Sequence, residues 1–156
     1  MKEFIRQKLV RPLVEQIKKG VTPKRLAMSC AFGVLVGTSP FFGITTALGI
    51  LFGFVFRLNH VALQVANYCM YGPQLVSIPL YLHYGDRLFG VKPLSLSVTE
   101  LKAEYDAGAW LFFSKFGSTF FHASVLWLLT APLIVLSSYL VLHFFFRRWS
   151  VLNAGK

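Results

Sequence analysis

The side chains able to do covalent chemistry are few and dispersed. His60, His83, His122 and His143 are scattered, and no two share a metal-ligand spacing. Cys30 and Cys69 sit in apolar runs without a CxxC arrangement, and nothing suggests a Ser-His-Asp constellation. No catalytic residue, metal or cofactor is therefore expected, and the chain does not read as an enzyme. The features suited to binding are interruptions of apolar sequence. One is Ser39-Pro40-Phe41-Phe42-Gly43, followed by Thr45 and Thr46; a second is Gly72-Pro73-Gln74, with Asn67 upstream. Discontinuous helices within a membrane often direct their ends at ions or substrate groups. The N–H groups of a helix beginning near Ile44, with the Thr45 and Thr46 hydroxyls, would suit an anion. Arg57 and Asn59, at a third break, would receive a lipid phosphate or carboxylate. The structural alternative is that glycine and proline only shape helix packing while Arg57 snorkels to an interface.

The elements that must position these residues are read from hydropathy and charge. Of 156 residues, 55% are hydrophobic and 14% charged, against roughly 25% charged in ordinary globular proteins. This implies an all-α integral membrane protein. Residues 1–21 form an amphipathic segment, with Phe4, Ile5, Leu9, Leu13 and Ile17 at helical spacing among Lys and Arg, and Pro12 as a kink. Such a helix lies in the headgroup layer or folds over the cytoplasmic face of the protein. No cleavable signal peptide is expected, because the first 25 residues are charged throughout.

Residues 22–90 form the core membrane domain. Thr22-Pro23 restarts the chain as a helix cap. Residues 26–56 are 31 uncharged residues, about 46 Å as one helix, against a hydrocarbon core about 30 Å thick. Pro40 and Gly43 fall in the middle, so the segment reads as a re-entrant hairpin with halves near 24–38 and 44–57; one long kinked span is the alternative. Gly33 with Gly37, and Gly49 with Gly53, are GxxxG pairs that let helices approach closely. A second apolar segment, 60–84, is interrupted at Gly72-Pro73. Residues 91–118 read as an extracytoplasmic loop with a short helix starting near Glu100, and 119–149 as a C-terminal transmembrane helix containing Pro132.

Charge sets the orientation. Residues 1–25 carry eight basic and two acidic side chains, residues 85–118 four of each, and Arg147, Arg148 and Lys156 close the chain. Basic flanks stay in the cytoplasm. Both termini are then inside, which requires an even number of crossings: a re-entrant 26–56 plus spans at 60–84 and 119–146. The net charge of +10 does not imply nucleic acid, because Arg57 is the only charged residue between Leu26 and Tyr84. The partners expected are anionic lipid headgroups.

Pro23, Ala27, Ala31, Gly33, Gly37, Pro40 and Gly43, then Arg57-Leu58-Asn59, Asn67, Pro73, Tyr81 and Gly85, together resemble the bacterial domain-of-unknown-function family numbered 2062. The family often has a contiguous Asn-Pro where this chain has Tyr71-Gly72-Pro73. The resemblance implies a small bacterial inner-membrane protein and supplies no activity. Relatives joined to glycosyltransferases point towards lipid-linked substrates. The expected function is transporter-like or lipid-handling, in a homo-oligomer, because the segments enclose little volume alone. The alternative is a non-catalytic adaptor or scaffold for a membrane-associated enzyme, motivated by the lack of acidic residues within the apolar segments.

Overall fold

The computed structural model describes residues 21–41, 43–93, 106 and 108–153. The amphipathic segment therefore lies outside the described residues up to residue 20, as does most of the 91–118 loop, including the helix expected near Glu100. The described residues form five helices and no strand: α1 (Pro23–Gly37), α2 (Thr45–Val55), α3 (His60–Cys69), α4 (Tyr71–Leu88) and α5 (Ala109–Asn153).

α1 begins as the sequence dictates. Thr22 accepts a hydrogen bond from Arg25 N at 3.3 Å, and Pro23 occupies the first turn, where its missing N–H costs nothing. The helix stops at Gly37, short of Pro40, and the chain turns back before α2, with Gly43 at φ +89°. α2 then returns, bringing the Arg57 carbonyl within 3.0 Å of Arg25 Nη2. The segment is thus a helical hairpin and not one rod. With 15 and 11 residues, its arms are about 22 and 16 Å long, each shorter than a hydrocarbon core of about 30 Å.

α3 is the element on which both arms pack. Cys30 Sγ lies 3.6 Å from the Ala62 carbonyl, Gly33 faces Leu63 and Ala66, and Gly37 faces Asn67 and Met70, so α1 and α3 run parallel. Gly49 faces Leu63 and Gln64, and Gly53 faces His60, so α2 runs antiparallel to α3. Both GxxxG pairs are turned towards this one ten-residue helix.

The second break falls at Met70, between α3 and α4, and not at Gly72-Pro73. Pro73 explains the offset. Its ring conflicts with the carbonyl four residues back, Cys69, so the upstream helix must end there, while Pro73 itself fits the first turn of the next helix. Pro79 lies inside α4 and Pro132 inside α5 without ending either helix. α4 closes with a Schellman motif: Gly90 at φ +67°, with Val91 N donating to Asp86 O at 2.9 Å and Gly90 N to Arg87 O at 3.0 Å.

α5 has 45 residues and starts at Ala109, before the expected 119. It runs antiparallel to α1, meeting Leu35 through Trp127 and Leu26 through Phe146. Its other half carries α4, through Tyr81 with Thr130 and Gly85 against Ala123. Among the described residues one helix, Phe116–Arg148, is long and apolar enough to cross a membrane; Thr45–Val55 is apolar but shorter. The core packs Leu26, Ala27, Cys30, Ala62 and Phe146.

The close approach of α1 and α3 gives a stability prediction. A Cβ at Gly33 would meet the Leu63 carbonyl, whereas one at Gly72 meets nothing within 4 Å. Gly33→Ala is expected to cost about 1–3 kcal/mol by overpacking. Gly72→Ala, in an exposed helical position, should be neutral or stabilising by up to about 1 kcal/mol. Thermal unfolding of both variants in the same detergent measures the difference.

Candidate functional site

The candidate residues separate into two groups at opposite ends of α1 and α2. Arg57 and Asn59 lie beside Arg25. Ser39, Pro40, Gly43, Thr45, Thr46, Asn67, Gly72, Pro73 and Gln74 lie around the reversal and the Met70 break. They cannot form one site.

The rim group is built by Arg57-Leu58-Asn59. α2 ends in a second Schellman motif, with Leu58 N donating to Gly53 O at 2.9 Å and Arg57 N to Phe54 O at 3.3 Å. The left-handed position is Arg57, at φ +52°, where glycine is usual. Leu58 is buried, and Asn59 caps α3 by accepting from Ala62 N at 3.0 Å. The Asn59 N–H donates to Ser29 Oγ at 2.8 Å, and Ser29 Oγ donates to Arg25 O at 2.9 Å, tying the break to α1. Phe146 packs beside Leu26, so Arg147 and Arg148 come to the same end. Lys24, Arg25, Arg57, Arg147 and Arg148 are all exposed there, and no acidic residue lies in α1, α2 or α3.

The reversal is held by side chains of α4 and α5. Trp127 Nε1 donates to Leu35 O at 3.1 Å, and Ser77 Oγ to Thr38 O at 3.2 Å. Gln74 Nε2 donates to Ser39 O at 3.2 Å and to Phe41 O at 3.4 Å. Thr38 Oγ1 returns to Val34 O and Leu35 O at 3.1 and 3.0 Å. The carbonyls freed where α1 stops are thus met inside the protein. Sequence reading had Gln74 among its candidates but missed Trp127 and Ser77.

A second amide chain links α2 to α3. Gln64 Nε2 donates to Thr46 O at 3.0 Å, and Asn67 Nδ2 donates to Gln64 Oε1 at 3.1 Å. Because a carbonyl can only accept, the polarity of this chain is fixed from Thr46 outward, leaving Asn67 Oδ1 facing away. The same logic fixes Gln74, whose NH₂ is committed to two carbonyls. Asn67 Oδ1, Gln74 Oε1 and Ser39 Oγ are buried without a hydrogen-bond partner. A buried polar atom left unpartnered costs about 1–3 kcal/mol, so three around one junction need a physical explanation. Two of them are amide oxygens, which only accept and so are opposite in polarity to the anion cradle expected at this break, whereas the Ser39 hydroxyl can donate or accept. Ile44, at the N-terminus of α2, supplies no side-chain cap and is exposed. Pro40 and Thr45 are buried, Thr46 is half-buried, and Gly43, Gly72 and Pro73 are exposed.

A third cluster was not anticipated. Asp86, beside Arg87 in sequence, is buried and accepts from Thr119 Oγ1 at 3.0 Å; its other oxygen lies 2.8 Å from His122 Nδ1. His122 stacks on Phe89 with centroids 4.3 Å apart. The cluster joins the last turn of α4 to α5. Nothing in sequence pairs residues 36 apart on different helices.

The family model described as Uncharacterized protein conserved in bacteria (DUF2062) matches residues 4–154. The chain belongs to that family. Membership extends beyond the Thr22–Gly90 motifs to the basic N-terminal segment and to α5. No curated protein and no solved structure matches the chain.

The rim geometry carries a prediction. Arg57 contributes its backbone to the Arg25 contact, so Arg57→Gly keeps that hydrogen bond and removes the left-handed penalty. The variant is expected to be more stable by about 1 kcal/mol, read as a raised midpoint of thermal unfolding in detergent. A lowered midpoint would mean that the guanidinium supports the fold.

Proposed function

We propose that this family member is a multi-pass inner-membrane protein that handles anionic lipids or a similar anionic solute, engaging the headgroup at its basic end. The observation that carries the reading is an inverted distribution of polarity. Ser29, Ser39, Asn67, Gln74, Asp86 and Thr119 are buried, while Phe54 is 72% exposed, Leu133 70%, Val141 69% and Phe144 69%. Water would favour the reverse, whereas lipid favours apolar side chains outside and satisfied polar groups inside. Leu51, Val55, Leu75, Val76, Leu129 and Phe145 extend the exposed apolar surface along α2, α4 and α5.

The layout supports a particular topology. α1 and α2 descend and return as a re-entrant hairpin. α3 follows α1 inward, and α4 continues past the Met70 break towards the opposite face. α5 returns across the full thickness. Lys24, Arg25, Arg57, Arg147 and Arg148 then share the cytoplasmic side, in keeping with the positive-inside bias. A basic rim attracts the anionic headgroups of that leaflet, each Lys or Arg near the surface contributing about 1 kcal/mol. Arg57 is the best-placed contact, because a residue held in a costly backbone conformation without a structural use for its side chain is a candidate for function. A homo-oligomer would complete the enclosure that one chain lacks.

Two measurements test this. In a background with Cys30 and Cys69 replaced, single cysteines at Lys24, Arg57 and Arg148 are expected to react with an impermeant thiol reagent only from the cytoplasmic side, and one at Val91 only from the opposite side. Labelling of Lys24→Cys and Arg57→Cys from different sides would remove the re-entrant hairpin. Titration of the purified protein with a short-chain anionic phospholipid should give tighter binding than its zwitterionic counterpart, weakened about 5-fold in Arg57→Gln. Equal affinity for both lipids, with no flux of lipid or anionic solute in liposomes, would remove the lipid-handling reading and leave co-purification of an enzyme as the test of an adaptor.

A further inference from the structure

We infer that the seam between α1 and α5 is a lipid site, taking one acyl chain of an anionic lipid whose headgroup is held by Arg148. The inference rests on reading this chain as a membrane protein, and not on the part given to Arg57. A groove of about 300 Å³ lies at the seam, lined by Val34 from α1 and by Ser137, Ser138, Val141 and Leu142 from α5. Its origin is in the sequence. Leu133-Ile134-Val135-Leu136 precede the two serines and Leu140-Val141-Leu142 follow them, so α5 is thinned at one level only. The Ser137 hydroxyl does not make the gap polar. Its proton is shared between the Leu133 and Ile134 carbonyls of its own helix, at 2.7 and 3.2 Å. Leu142 packs on the core cluster of Leu26, Ala27 and Phe146 and closes the inner side. Ser137 is exposed and Val141 is 69% exposed, so the groove opens outward.

Shape and charge select the occupant. A helix about 10 Å across fills on the order of 400 Å³ for each turn, so a helix of a second protein would lie over this groove and not in it. A flexible apolar chain matches both its size and its lining. Charge fixes the other end of the ligand. Arg148 lies seven residues beyond Val141, about two turns and about 10 Å along the same face of α5. Arg148 is exposed, Arg147 stands beside it in sequence, and α1 and α5 contain no acidic residue. A chain descending from a phosphate at Arg148 enters the groove about 10 Å below the headgroup, within one leaflet of a hydrocarbon core about 30 Å thick. The site is separate from the Arg57 contact. Phe32, two residues from Val34 and so on the other side of α1, meets Phe52 and Phe56 of α2 with centroids 6.0 and 4.7 Å away.

Photolabelling tests the site. The full chain is reconstituted in phosphatidylcholine vesicles containing a trace of phosphatidylglycerol with a diazirine midway along one acyl chain, and the labelled peptides are mapped by mass spectrometry. Label is expected to concentrate on residues 137–142 and on Val34. The same probe with a choline headgroup should label them about fivefold less, the effect of one basic contact. Arg148→Gln should remove that preference. Ser137→Leu fills the groove from an exposed position and should cut the label there at least threefold. Label spread evenly over the apolar faces of α2, α4 and α5, or equal for both headgroups, overturns the proposal. Label at the groove that is lost in Arg57→Gln and kept in Arg148→Gln also overturns it, by returning the lipid to the Arg57 rim. Groove label that depends on Arg148, with lipid titration indifferent to Arg57→Gln, upholds this site while the role of Arg57 falls. If Ser137→Leu does not fold, the two headgroups and Arg148→Gln decide.

Discussion

Everything in this fold depends on satisfying the backbone where α1 stops. A helix leaves its last carbonyls without intrahelical partners, and in an apolar surrounding each such group is expensive. Here the carbonyls of Leu35, Thr38, Ser39 and Phe41 receive the Trp127 indole, the Ser77 hydroxyl and the Gln74 amide. These donors come from α4 and α5, which are far from α1 in sequence. The reversal therefore does not stand as a local motif. It exists because two other helices bring donors to it, and those helices are in turn positioned by what they hold.

The same constraint explains the role of α3. Three helices can surround a reversal only if their backbones come close, and close approach needs side chains that take no room. Gly33, Gly37, Gly49 and Gly53 provide it on α1 and α2, all four facing α3. Amide side chains then fill the polar requirement at the contact, from Thr46 through Gln64 to Asn67. Small residues and amides are thus parts of one solution. The first brings the helices together, and the second leaves few backbone groups unmet between them.

Much of this was legible in the sequence, for reasons of length and covalent geometry. Residues 26–56 are longer than one membrane-thick helix needs, and Pro40 and Gly43 are the residue types a reversal requires, so a hairpin is the preferred reading of the sequence over one long kinked helix. Arg57-Leu58-Asn59 could be read as a break, though not as a Schellman end followed by a capping asparagine. The Met70 break was placed two residues late because proline acts on the carbonyl one turn upstream, not at its own position. What could not be read is pairing between helices. Trp127 with Leu35, and Asp86 with His122 and Thr119, join positions with no shared local pattern. Asp86 beside Arg87 looks like a solvated pair in sequence, and only the packing of Gly85 on Ala123 carries it into the interior.

The two ends of the hairpin have opposite electrostatic character, and this follows from its direction. α1 starts at a basic end and points its C-terminus at the junction of the two breaks, so partial negative charge gathers there. α3, running parallel, delivers a second C-terminus to the same level. The side chains gathered there leave acceptor oxygens unmet, while the cations stay at the rim. Glycine and alanine alone could close the junction sterically, but they would leave the Ser39 and Phe41 carbonyls without the Gln74 amide. The presence of Asn67, Gln74 and Ser39 there, together with arginine in the left-handed position of α2, separates this fold from a merely compact bundle. The amide nitrogens serve the contact between helices, while the buried oxygens and the left-handed Arg57 are polar or conformational costs that packing alone does not require.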